Sequence, residues 1–132
     1  MKTTIRNPNP QAMQVSAYET VTFIVTMTPP LSSQTPPQPP WTGADTFQVN
    51  VRDDAGNVVL QSTAFTVTDF INGIVQFPLT SSQTGEFDVG GGDSVANPTG
   101  GDFQIDFWRT TPGSEKRLAW GPLTVLMQQW KP

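Results

Sequence analysis

Chemistry starts from side chains that can exchange a proton, attack a bond or hold a metal, and this chain offers few kinds of them. It has neither cysteine nor histidine. Disulfides, Cys/His zinc sites, and catalytic triads or dyads built on a thiolate or an imidazole are therefore excluded. The densest candidate is DVGGGDSVANPTGGD, residues 88–102, with five glycines and three aspartates in fifteen residues. A Walker-type phosphate loop needs a lysine and a following hydroxyl. This run has no Lys or Arg, so its charge repels phosphate, and no βαβ unit follows to make a dinucleotide site. Asp88, Asp93 and Asp102 are hard oxygen ligands of the kind calcium prefers, but they lack the Asp-x-Asp-x-Asp-Gly order of a dedicated loop. They are the metal candidates; the reading favoured is a connection that turns the chain between two strands. Glycoside hydrolysis needs two carboxylates facing each other in a cleft, and nothing here selects a pair. The chain reads as a non-enzyme with no cofactor.

The elements around this stretch alternate with period two. Val21, Phe23, Val25 and Met27 fall on one face of a segment whose other face carries Thr20, Thr22 and Thr26, the pattern of a half-buried strand. Phe47, Val49 and Val51 repeat it, as do Phe103, Ile105 and Phe107 against Gln104, Asp106 and Trp108. Leu123, Val125 and Met127 share a face of the last segment, and MQVSA reads as a short early strand. DDAGN at 53–57 and FING at 70–73 are turns with glycine where a positive φ is needed. Pro78 cannot donate to a ladder, so its strand is expected at an edge or to end there. The expected core is Phe23, Val25, Phe47, Val49, Phe65, Phe77, Phe103, Ile105 and Val125. Seven or eight strands with short turns and no helical stripe predict one all-β domain over residues 1–132, an antiparallel immunoglobulin-like β-sandwich, with a small barrel as the alternative.

The chain has 132 residues and a net charge of −4, which argues against nucleic acid as a partner. The sign is unevenly spread. Between Arg52 and Arg109 there is no Lys or Arg but there are eight acids, whereas the flanks hold all seven basic residues. Such asymmetry suits solubility, a cation site, or head-to-tail attraction between copies. The N-terminus lacks the apolar run of a signal peptide, and no segment approaches a membrane helix, so a soluble protein made in the cytoplasm is expected, with no membrane partner.

A second long stretch breaks the rhythm. TPPLSSQTPPQPPWTGAD, residues 28–45, holds six prolines: Pro29, Pro30, Pro36, Pro37, Pro39 and Pro40. Proline leaves an unfolded loop fewer conformations to lose, so ordering this loop on a partner is cheap, and it exposes rings and carbonyls suited to an aromatic-lined groove. The loop is expected to be the contact surface, with Leu31 and Trp41 as apolar anchors. Trp108, on the polar register of its strand, and Trp130 near the C-terminus are further interface candidates, and exposed tryptophans keep a glycan among the candidate partners.

The second half resembles a known family. GNVVL, NGIVQFPLTSSQT, GDFQIDFW and GSEKRLAWGPLTV follow one another as in the immunoglobulin-like N-terminal domain of phage baseplate upper proteins and related tail-fibre adaptors. The positions that match are Gly73, Val75, Phe77, Leu79, Thr80, Thr84, Asp106, Arg117, Leu118, Gly121 and Val125, within residues 46–127. The proline-rich insert at 28–45 departs from that pattern. The resemblance implies a virion structural module without an active site, an adaptor in tail or baseplate whose partners are other virion proteins and copies of itself. Capsid decoration, fibre anchoring and a carbohydrate-binding or adhesin module are the alternatives.

Overall fold

A computed structural model describes residues 2–7, 13–16, 18–53, 56–85 and 102–126. Nine strands are present: β1 (Lys2–Asn7), β2 (Met13–Ser16), β3 (Val21–Met27), β4 (Phe47–Asp53), β5 (Val58–Ser62), β6 (Thr66–Asp69), β7 (Ile74–Leu79), β8 (Asp102–Arg109) and β9 (Lys116–Leu126), with one short helix, α1 (Ser81–Gly85). They form a four-stranded sheet, β1-β3-β7-β6, and a five-stranded sheet, β2-β9-β8-β4-β5. Apart from β1, these orders are B-E-D against A′-G-F-C-C′ in conventional lettering, the arrangement of an immunoglobulin-like β-sandwich, while β1 takes the place of strand A beside β3 but runs parallel to it instead of antiparallel.

Alternation fixes the faces. β3 has the burial pattern of a strand with every second residue inside, and Val21, Phe23, Val25 and Met27 are the buried set. Phe23 pairs across the ladder with Phe77 of β7, and Val25 with Val75. On the opposing sheet, Val49 of β4 faces Phe107 of β8, and Val51 faces Ile105. The two inner faces meet through rings: Phe107 lies 5.4 Å from Phe23 and 5.1 Å from Phe77, centroid to centroid. This cluster spans the sheets where antibody domains place a disulfide between the second and sixth strands. Eight of the nine expected core residues are buried. Phe65 is the exception, half-buried in the approach to the edge strand β6.

Two details depart from the pattern expected of the sequence, and a third meets it in one of two ways. The sandwich is not wholly antiparallel: β1 runs parallel to β3 and β2 parallel to β9. β1 is also one strand more than the periodicity predicts. Of the two alternatives expected at Pro78, the second holds: β7 lies inside its sheet but ends at Leu79, one residue past the proline, and the β6 ladder stops earlier, at the Thr66–Gln76 pair.

The turns behave as their glycines require. Gly56 has φ 89° in the β4–β5 turn and Gly73 has φ 85° before β7, a region that side chains other than glycine enter at a cost. At Gly73 space is also closed: a Cβ there would stand 2.7 Å from Met27 Cγ. α1 opens with reciprocal bonds, since the Gln83 amide N–H donates to Thr80 Oγ1 at 3.2 Å and the Thr80 N–H donates to Gln83 Oε1 at 2.9 Å. This is a capping box. Thr84, fully buried, donates its hydroxyl to the Glu19 carbonyl at 2.7 Å and ties α1 to the turn before β3.

Candidate functional site

The end of the sandwich reached by the β3–β4, β6–β7 and β8–β9 connections gathers the unusual residues. The proline-rich β3–β4 loop does not drape freely over it. A short 3-10 turn, Leu31–Ser33, interrupts the loop, and Leu31 is only 3% exposed. The Leu31 N–H donates to Asn72 O at 3.3 Å, and the Gln38 N–H closes back on Leu31 O at 2.9 Å. Further along, Trp41 is 4% exposed, its ring 4.8 Å from Phe47, which in turn stands 5.1 Å from Phe65. The Trp41 N–H donates to Phe70 O at 2.9 Å. Leu31 and Trp41 are thus part of the domain's own core, and neither is available as an anchor for a partner. The reason is the hydrophobic effect acting locally: a large apolar side chain beside an open sandwich end buries itself there first.

A polar clamp holds the other side of the loop. Asp45, buried, accepts from Arg109 Nη2 at 2.7 Å and Nε at 3.2 Å, from Thr111 Oγ1 at 2.9 Å, and from the Thr42 N–H at 2.8 Å. Burial alone raises this carboxyl's pKa, but the bonds from Arg109, Thr42 and Thr111, with the charge of Arg109, outweigh it and hold the group below its usual value. Thr46 and Thr110 join the same strut through the Thr110 N–H to Thr46 O, 2.8 Å. The loop is therefore fixed on both flanks, and Pro29, Pro30, Pro36, Pro37, Pro39 and Pro40 are left exposed on its outside.

Next to them, at the β6–β7 turn, Phe70 is 40% and Ile71 64% exposed. Asp69 holds this turn by accepting from the Ile71 and Asn72 N–H groups and from Asn72 Nδ2; those bonds, the Asn72 pair foremost, lower its pKa. Phe70 and Ile71 are not among the interface residues expected from the sequence. The signal was in FING itself, where two large apolar residues occupy a turn that polar residues normally fill.

The outer face of the five-stranded sheet is the second candidate. Trp108 is half-buried there, opposite Gln48 of β4 and Arg117 of β9. A bulge between Phe107 and Trp108 sets Trp120 opposite Asp106. Asp106 is buried and stands 3.9 Å from both Arg52 and Arg117, while the Arg117 guanidinium lies 4.0 Å over the Trp120 ring. A groove of about 580 Å³ runs from Trp120, Arg117 and Lys116 to Pro29, Gln34 and Thr35.

The calcium candidates are not brought together in view. Asp88 and Asp93 lie outside the described residues, as does Trp130, and Asp102 opens β8 with its side chain outside them. Among the described residues no cluster of acidic side chains is close enough to hold a metal ion.

No family model matches the chain, and no curated protein is similar to it in sequence. Among solved structures it is similar to that of the NK cell receptor Nkp44, a triggering partner in natural cytotoxicity, with 16% identity and a TM-score of 0.39 over 89% of this chain and 99% of that one.

Proposed function

We propose that this chain is a non-enzymatic structural module that assembles in several copies in the virion of a tailed phage, as an adaptor of the tail or baseplate. The observation that carries the assembly reading is the fixed proline loop. Leu31, Trp41 and the Asp45–Arg109 clamp hold it rigid, so its six exposed prolines and the neighbouring Phe70 and Ile71 form a surface whose ordering cost is met before any partner arrives. Apolar side chains held in water on a rigid frame favour a protein contact. The phage setting rests on the sequence resemblance across residues 46–127. Mass spectrometry of purified virions should find the chain in fixed stoichiometry, and cryo-electron microscopy should place residues 28–41 and 70–71 against a neighbouring protein. Absence from particles, or a neighbour bound only at the α1 end, contradicts the reading.

Glycan binding is the second reading, favoured by Trp108 and Trp120 on one face with the Gln48 and Asn50 amides, which bond to each other at 2.9 Å. A glycan array in which Trp108→Ala abolishes a strong signal would favour it over assembly.

A further inference from the structure

The groove beside the proline loop has a chemistry of its own. One wall carries Lys116, Arg117 and the Trp120 ring, and the other carries Pro29, Gln34 and Thr35. Lys116 makes no ion pair among the described residues, and Arg117 shares the distant Asp106 with Arg52 at 3.9 Å. Glu115 is exposed next to them. Two cations, an indole and an amide suit an acidic chain with little side-chain bulk, able to lie against a ring and accept hydrogen bonds.

Such a chain exists in the same protein. Residues 86–102 hold Glu86, Asp88, Asp93 and Asp102, no Lys or Arg, and five glycines. Glycine lets backbone approach an aromatic surface closely. The segment leaves α1 at Gly85 and re-enters the fold at Asp102, the first residue of β8. Lys116 pairs with Arg109, the last residue of β8, so the groove lies at the far end of that strand, about 24 Å away at ~3.4 Å per residue. The sixteen residues 86–101, tethered at both ends, reach that far within one chain only with both arms almost fully extended. A copy stacked end to end needs no such extension.

We propose that the Lys116/Arg117/Trp120 groove of one copy receives the acidic 86–102 segment of a second copy, head to tail. The contact is heterologous, so it closes into a ring or propagates as a filament according to the rotation between copies. It rests on the assembly reading and names the partner at that end of the domain.

Sedimentation of the full chain at graded concentration and salt tests it by charge exchange. The native protein should self-associate, with affinity falling at least about tenfold between low and physiological salt. Lys116→Glu/Arg117→Glu should be monomeric, and so should Asp88→Lys/Asp93→Lys. Mixing the two variants should restore a complex, because each supplies the complement that the other reversed. Circular dichroism melts check that both remain folded. A native chain that stays monomeric, variants that associate as the native chain does, or a mixture that restores nothing overturns the proposal. So does a groove that binds an acidic oligosaccharide such as oligogalacturonate while the mixture stays monomeric. Virion incorporation measured alongside separates the two ideas: particles that still take up the monomeric variants retain the assembly reading and reject this contact.

Discussion

Phe23, Phe77 and Phe107 meet between the two sheets, whereas Trp41, Phe47 and Phe65 meet under the proline loop. Both groups are aromatic clusters with centroids close to 5 Å apart, yet they do different work. The first joins three strands, β3, β7 and β8, and closes the sandwich. The second joins one strand, β4, to two residues that belong to no strand. Removing a ring from the first should weaken the whole fold. Removing one from the second should release a loop.

The largest effect is expected at Phe107, the ring that touches both partners of its cluster. Phe107→Ala should destabilise the domain by about 3–5 kcal/mol, read from urea unfolding; a loss below about 1 kcal/mol would mean that the sheets are held elsewhere. Trp41→Ala should fall at the lower end of the same range, about 3 kcal/mol, because a loop relaxes into the space more easily than a strand does. Its distinguishing mark is hydrogen exchange: protection should fall in residues 28–46 ahead of β3, β7 and β8. Equal loss everywhere would erase the distinction between the two clusters.

Asp45→Asn acts on the loop's polar flank and should cost about 1.5–3 kcal/mol at neutral pH, the worth of hydrogen bonds to a charged group. Its pH dependence has a definite sign. The folded carboxyl titrates below its unfolded value, so its contribution is complete above the unfolded pKa of about 3.9 and is lost as pH falls through the lower folded value. The native protein should lose stability through that acidic window, and Asp45→Asn should lose less. A smaller effect, about 1–2 kcal/mol for the left-handed backbone alone, is expected for Gly73→Ala, increased by however much Met27 and Leu31 fail to move aside. A neutral result in thermal melts would mean that the turn rearranges.

The two clusters also differ in how far the sequence discloses them. Phe23, Phe77 and Phe107 stand on segments with strict period two, where a one-residue slip would turn every apolar side chain outward; nothing beyond local pattern is needed. Leu31 and Trp41 are single apolar residues among prolines. No period marks their direction, and only the open end of the folded sandwich decides that they point inward. Similarly, the parallel pairing of β1 and β2 depends on which sheet edges the rest of the chain leaves open, which no short segment encodes. The candidate surface was legible in part. The six prolines were found by composition, while Phe70, Ile71 and the Lys116–Arg117–Trp120 wall become neighbours of that loop only through the Trp41–Phe70 and Met27–Gly73 backbone bonds and the β8–β9 hairpin.

In the proposed assembly the proline loop is held by its anchors and offers its prolines to a neighbour. Replacing residues 36–40 with a Gly/Ser linker, while keeping Leu31, Trp41 and Asp45, separates these two roles. The thermal midpoint of the isolated domain should move by no more than about 4 °C, corresponding to under about 1 kcal/mol for a domain of this size, while incorporation into virions, measured by quantitative mass spectrometry, should fall sharply. Normal incorporation, or a domain that unfolds once these prolines are gone, would contradict this arrangement.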